Sequence, residues 1–341
     1  MALRERNRRD RLLDALPDVA DGPEASVPAQ FGLSCNRMAL RSLLLFLSRR
    51  KRLRKFLETS RLAERATSRF IAGLALDDAL EVGRRLQRDG IQMSVDWLGE
   101  SVNSLNEAAA SRDGYIGVLH RLHEIGLDAT VSIKLTQFGL DVSREACRKN
   151  VRRLVSEAAK LGLTVEIDME SSEHVDRTFD LVSGLWAEFG HVRGVVQAYL
   201  HRAEKDAARL SAQGVPLRLC KGAYREPPAV AFQKKSEVDR NYARLARYLL
   251  EHGNNPALAT HDEILIQDAL DFAAEKRIPP DRFEFQMLYG IRRDLERRFA
   301  AAPHRLRLYV PYGEAWYPYF MRRLAERPAN LLFLLRNYVR G

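Results

Sequence analysis

Cysteine is scarce in this chain of 341 residues: Cys35, Cys147 and Cys220 are the three it has, and they lie far apart. Such spacing excludes a disulfide framework and a thiolate zinc site, and it suits a reducing, cytoplasmic setting. Long apolar runs are missing too. None approaches the ~20 residues that a membrane-spanning helix needs. The Arg-rich N-terminus lacks an apolar core followed by a small-residue cleavage site, so no secretory signal is expected. No G-x-G-x-x-G sequence follows any apolar run, which removes the usual support for an open dinucleotide-binding sheet.

What is present is ordinary in amount and uneven in placement. Apolar residues make up 46% and charged residues 29%, enough to bury a large core. Of the net charge of +10, residues 1–55 carry +7, from 13 Lys/Arg against 6 Asp/Glu. Residues 49–55 read RRKRLRK and follow the apolar residues 43–47. An apolar stretch beside a basic one suits a helix lying on an anionic membrane surface, with a solvated helix end as the plain alternative. Nucleic acid is not expected as a partner, because the cluster has no interleaved aromatics and no base-reading motif.

Three regions follow along the chain. Residues 1–36 are polar, with several prolines, and look loosely ordered. Residues 37–91 have a helical pattern in two or three pieces, the last preceded by Asp77 and Asp78 and stopping at Gly90. From residue 92 to 341 the pattern alternates. Short apolar runs at 92–98, 130–135, 164–169, 195–200, 217–220, 257–260, 283–288 and 306–310 are separated by amphipathic helical stretches, the last at 315–337. Eight strand–helix units of this length predict an α/β fold, a closed (β/α)8 TIM-like barrel with extra N-terminal helices, its site at the C-terminal strand ends. An open doubly wound sheet is the competing architecture.

Polar residues in these runs carry the functional expectation. Glu100 follows the first run, Lys134 is placed in the second strand, Asp168 in the third and Gln197 in the fourth. Arg218 and Lys221 flank the fifth, with Tyr224 beyond; Thr260 and His261 end the sixth; Gln286 and Leu288 lie in the seventh and Tyr309 in the eighth. One strand Gln or Asp is usually a satisfied structural group. Agreement across the strands favours a site, because so many buried polar groups must hold a ligand or one another. Arg322 and Arg323, near Tyr309 and Tyr319, suit a small carboxylate ligand, since guanidinium forks grip carboxylates at two points. Glu326 shares a helix face with Arg322. His120 and His123 have no evident carboxylate or thiol partner, so no metal is expected. Cys220 should face away from Lys221 and is read as packing. Residues 292–298 are read as a solvated outer face. Two other classes remain open at this point: a Schiff-base aldolase using Lys134 or Lys221, and a basic binding barrel without catalysis.

Seven segments in order resemble the proline dehydrogenases: KLTQFGLD, EIDMES, VVQAYLHRAEKD, RLCKGAY, ATHDE, FEFQMLYG and PYFMRRLAERPAN. The resemblance spans roughly residues 41–337, and the chain length resembles the monofunctional bacterial enzymes. It implies oxidation of L-proline to Δ1-pyrroline-5-carboxylate by non-covalently held FAD, with a membrane quinone as acceptor. Carried over by motif, Lys134, Arg322 and Arg323 would grip the proline carboxylate. Tyr309 and Tyr319 would wall its ring, with Leu288 and Tyr224 nearby. Asp168 and Glu326 would hold the arginines and the ring-side polar network. Gln197, Arg218, Lys221, Gly222, Ala223, Thr260 and His261 would line FAD, with Arg218 near the flavin N5 edge. Glu100 would pair with Arg322 to close the site. The bulk of Tyr309 would disfavour 4-hydroxyproline. Residues 41–55 would dock peripherally on the inner face of the cell membrane, near the quinone.

Overall fold

The computed structural model describes residues 69–99 and 101–326, with side chains up to residue 321. The segment 1–36, residues 37–68 of the helical arm, the basic stretch 41–55 and Glu100 lie outside the described residues.

Eight short apolar runs form parallel strands that pair in sequence order, and the last closes onto the first. They are β1 Gln92–Trp97, β2 Ala129–Ile133, β3 Thr164–Ile167 and β4 Val192–Gln197, then β5 Pro216–Cys220, β6 Asn254–Ala259, β7 Glu284–Leu288 and β8 Arg305–Tyr312. The expected closed barrel is therefore observed, and the open sheet is excluded. Of the strand bounds that differ from expectation, three bear on the site. Lys134 falls past β2, because it caps the short 3-10 helix Leu135–Phe138, which Gly139 ends at φ 89°. Asp168 falls just past β3. β4 starts at Val192, which brings Arg193 into the sheet.

Between the strands run α2 Leu105–Glu124, α3 Arg144–Lys160, α4 Val175–Phe189, α5 Ala203–Ala212, α6 Lys235–His252, α7 Glu263–Glu275 and α8 Arg293–Ala300, with α1 Leu76–Arg88 before β1 and α9 Trp316–Glu326 after β8. Their faces follow the helical period. In α3, Cys147, Val151, Leu154, Val155 and Ala158 are buried, with charged residues between them. Ser104, Ser143 and Asp262 cap α2, α3 and α7 by accepting backbone N–H bonds. Asp77 and Asp78, expected just ahead of α1, stand in its first turn, where carboxylates meet the positive helix end. The basic helix α8 buries Leu295 and Phe299 and leaves its arginines outward, as expected.

The two ends of the described chain meet. α1 packs on β1 and β8. α9 belongs to a separate apolar cluster with Phe70, Ile71 and Leu98, where Trp316, Tyr317, Tyr319, Phe320 and Met321 are buried. Backbone bonds Ala72 N→Pro311 O (2.9 Å) and Gly313 N→Gly73 O (3.0 Å) tie the 69–73 segment to the end of β8. Pro311 has no N–H to give, but its carbonyl is used here.

Barrels of this kind usually fill their interior with branched apolar side chains. Here the inner face carries charge. Arg193 Nη1 donates to Glu166 Oε1 (2.7 Å) and to Glu284 Oε1 (2.6 Å). Arg307 Nε donates to Glu284 Oε1 (3.0 Å), and its Nη1 to the Met93 carbonyl (3.1 Å) across the β1–β8 seam. Burial by itself would raise the Glu284 carboxyl, but Arg193 and Arg307 outweigh it and hold it far below the usual range. Glu284→Gln should therefore cost about 3–5 kcal/mol, because it leaves two buried guanidiniums short of a counter-charge. Adding Arg307→Met should recover part of that loss, and equilibrium urea unfolding of both variants measures it.

Candidate active site

Above the charged floor, the site is built from side chains on neighbouring strands. In a strand, residues two apart share a face. That rule stacks Ser94 and Asp96 on β1, places Ser132 and the following Lys134 along β2, and Glu166 and the following Asp168 along β3. The register sets Asp96 opposite Ser132 and Ser132 opposite Glu166. Tyr309 of β8 pairs with Ser94 and with Leu288.

Lys134 is caged. Its Nζ lies 3.1 Å from Asp96 Oδ1, 3.5 Å from Asp168 Oδ2 and 3.3 Å from the Tyr309 hydroxyl. Burial opposes the ammonium, but the two carboxylates outweigh it and hold Lys134 protonated well above the ordinary lysine range. Asp168 also accepts from Tyr309 Oη (2.8 Å), Ser132 Oγ (3.0 Å) and Arg218 Nη1 (2.7 Å). Burial nevertheless leaves its carboxyl above the ordinary range, ahead of the lowering effect of Lys134. Arg218 is buried. Its Nη2 donates to Ser132 Oγ (3.1 Å) and to Glu166 Oε2, and its guanidinium carbon lies 5.6 Å from the centre of the Tyr309 ring.

These ion pairs form one unbroken series of alternating sign: Asp96, Lys134, Asp168, Arg218, Glu166, Arg193, Glu284, Arg307. Four carboxylates face four cations, so the series is neutral as a whole.

The rim holds the other expected residues. Gln197, 3% exposed, donates through Nε2 to the Met169 carbonyl (3.1 Å), while its Oε1 is buried with no partner. The neighbouring strand presents a second such atom, Arg218 Nε. Gly222 stands at φ 108°, and a Cβ there would meet the Tyr199 ring at 2.2 Å, so only glycine fits. Lys221 Nζ is held by Asp239 (2.5 Å) and Asp262 (2.9 Å). Thr260 Oγ1 accepts from Asp262 N (3.1 Å), and His261 Nε2 accepts from Leu288 N (2.9 Å). That bond leaves the His261 proton on Nδ1 when the ring is neutral.

The remaining expectations divide. Ala223 and Tyr224 are exposed beyond β5, and Tyr319 is buried in the α9 cluster. Arg322, Arg323 and Glu326 fall on α9, but their side chains lie outside the described residues. Cys220 does face away from Lys221, yet that puts it on the same face of β5 as Arg218. Burial pushes its thiol up to about 11, with Asp168 adding to the rise and Arg218 opposing it. It is part of the site's wall as well as packing. His120 and His123 are exposed and bond to Glu157 (3.3 Å) and the Leu161 carbonyl (3.2 Å).

Sequence reasoning missed Asp96, Ser132, Glu166, Arg193, Glu284 and Arg307. The signal was there: each interrupts an apolar strand on its inward-facing alternate position.

A closed α/β barrel that gathers a caged lysine, a buried arginine and an unpaired amide oxygen at its strand ends has the make-up of an enzyme site for a small polar ligand. Comparison with known proteins narrows this. The family model described as proline dehydrogenase matches residues 79–336. The chain is 40% identical over 303 residues to proline dehydrogenase 1 of Bacillus subtilis (strain 168), covering 88% of this chain and 99% of that protein. It is 40% identical over 278 residues to the proline dehydrogenase of Deinococcus radiodurans, covering 80% and 90%. Among solved structures, proline utilization A from Bdellovibrio bacteriovorus, inactivated by N-propargylglycine, shares the fold with a TM-score of 0.74 at 24% identity. That alignment covers 94% of this chain but 41% of the longer protein. The chain belongs to the proline dehydrogenase family.

Tyr309→Phe deletes the hydroxyl that donates to Asp168. The ionised carboxylate needs that donor and the protonated acid does not. The variant should lose about 1–3 kcal/mol at neutral pH. Because the Asp168 pKa is raised in the folded state, this deficit should shrink as pH falls through that pKa. Urea unfolding of both proteins from neutral pH downward through the raised carboxyl's titration measures it.

Proposed function

We propose that this protein oxidises L-proline to Δ1-pyrroline-5-carboxylate, with hydride passing to bound FAD and electrons leaving to a membrane quinone. The observation that carries the reading is a pair of buried, unpartnered polar atoms on neighbouring strands, Gln197 Oε1 and Arg218 Nε, with Arg218 joined through Asp168 to the caged Lys134. Buried polar atoms without partners are costly, and these two lie at the strand ends, where a polar ligand group can complete them. An acceptor and a donor left open at adjacent strand ends, with Lys221 and the tight Gly222 turn following β5, fit a flavin dinucleotide. Gln197, Arg218, Lys221, Gly222, Ala223, Thr260 and His261 would hold it. Bound FAD supplies the two-electron acceptor that no side chain can provide.

The chain's own groups do the rest. Lys134 anchors the proline carboxylate and is itself anchored by Asp96, Asp168 and Tyr309. Because the described ion series is neutral, it has no surplus cation for an incoming carboxylate. Arg322 and Arg323 of α9 would supply that charge, with Glu326 holding them and Glu100 closing the site. Tyr309 and Tyr319, with Leu288 and Tyr224, would wall the ring and exclude water. Fixing the carboxylate at several points orients the ring carbon beside nitrogen for hydride loss. Cations around it lower the amine pKa, which favours the neutral amine that loses hydride more easily.

The caged ammonium weighs against Schiff-base chemistry, which needs a neutral lysine. Lys134 is held protonated by its two carboxylates. The deciding experiment is an absorbance spectrum of the purified protein, then anaerobic addition of L-proline. A flavin band that bleaches with proline is expected. A colourless protein that FAD cannot reconstitute would overturn the reading.

We place the protein in the cytoplasm, peripherally on the inner face of the cell membrane, through residues 41–55. The support is the basic run that follows an apolar one. The protein should co-sediment with anionic vesicles and release at high salt, and quinone reduction should rise with lipid. Failure of both would remove the membrane from the scheme.

A further inference from the structure

We infer that Glu166 is a positioning residue that sets how much positive charge Arg218 presents to the cofactor. The inference rests on the FAD reading above. Glu166 is fully buried beneath the mouth and sits at the middle of the ion series. Its Oε2 accepts from Arg218 Nη2 and from Ser94 Oγ (3.3 Å). Its Oε1 accepts from Arg193 Nη1 (2.7 Å) and Gln286 Nε2 (3.1 Å). One carboxylate charge is thus divided between two guanidiniums, one at the mouth and one in the floor.

Arg218 is the cation through which that division reaches the ligand. Its Nη1 and Nη2 are taken by Asp168, Ser132 and Glu166, and its Nε alone is left over. The residue is 5% exposed, so water does not screen the field it casts. A redox group against that Nε gains negative charge on reduction, and the guanidinium favours the reduced form. The carboxylate behind it tempers this effect. Weakening the carboxylate should raise the cofactor's potential. Weakening its other partner, Arg193, should throw more of the negative charge onto Arg218 and lower the potential.

The test uses the FAD-loaded full chain. Glu166→Gln keeps shape and removes charge; Arg193→Gln removes the competing cation. The midpoint potential of each is measured by equilibration with a redox dye. Glu166→Gln should favour the reduced cofactor at least tenfold, an upward shift of about 30 mV for a two-electron couple. Arg193→Gln should shift it down, and Glu166→Asp, which keeps the charge, should restore most of the wild-type value. A purely structural role predicts weaker FAD retention with no ordered, opposite shifts. Potentials unchanged in both charge variants would overturn the inference. If Glu166→Gln does not fold, the sign in Arg193→Gln decides alone. Wild-type protein that binds no FAD would defeat the cofactor reading; flavin that bleaches with proline while potentials stay fixed would defeat only this one.

Discussion

The alternating series from Asp96 to Arg307 is the constraint on which the rest of this structure depends. A buried ion pair gives little net stability over a well-packed apolar pair, since desolvation consumes most of the attraction. Breaking one is a different matter, because each remaining charge loses its counter-charge in a place water does not reach. The barrel interior therefore behaves as a single unit. Its members tolerate joint replacement better than single replacement. The mouth inherits the property: Lys134 and Arg218 are held at both sides by charges that are themselves held.

Neutrality of the series has chemical meaning. A mouth built as a surplus of cations would bind any small anion. Here each described cation of the series already has a carboxylate, so an incoming ligand must bring its own compensation. A zwitterion is suited to such a mouth, since it presents both signs at once. Two of the unpartnered buried atoms, Gln197 Oε1 and Arg218 Nε, lie on adjacent strands and complete this picture on the rim side.

The architecture was legible because eight apolar runs, spaced by amphipathic stretches, leave few alternatives. Lys134, Asp168, Arg218 and Tyr309 were legible as well, since a charge or hydroxyl at a strand end is conspicuous. The charged floor was not. Arg193 was lost because Val192–Gln197 begins earlier than its apolar run suggests. Arg307 and Glu284 sit between bulky apolar neighbours, and a strand read for its hydrophobicity hides them. Asp96 was overshadowed by Glu100, four residues on. In each case the partner lies far away in sequence, and a single chain read linearly gives no sign of which distant charge answers which. The placement of α1 was also out of reach, because it takes the flank of β1 and β8 only through tertiary packing.

The β1–β8 seam, crossed by the Arg307–Met93 bond over 214 residues, carries a consequence for biogenesis. Among the described strands, β1 pairs with β2 on one side and with β8 on the other, so its second edge is without its strand partner until β8 has been made. Its free edge stays open to pairing with other chains throughout that interval. The floor charges share the dependence, since Arg193 and Glu166 are answered in part by Glu284, which lies late in the chain and is itself paired with Arg307. Closing the barrel therefore joins two demands, since the pairing of β1 with β8 also brings Arg307 to Glu284 and the Met93 carbonyl.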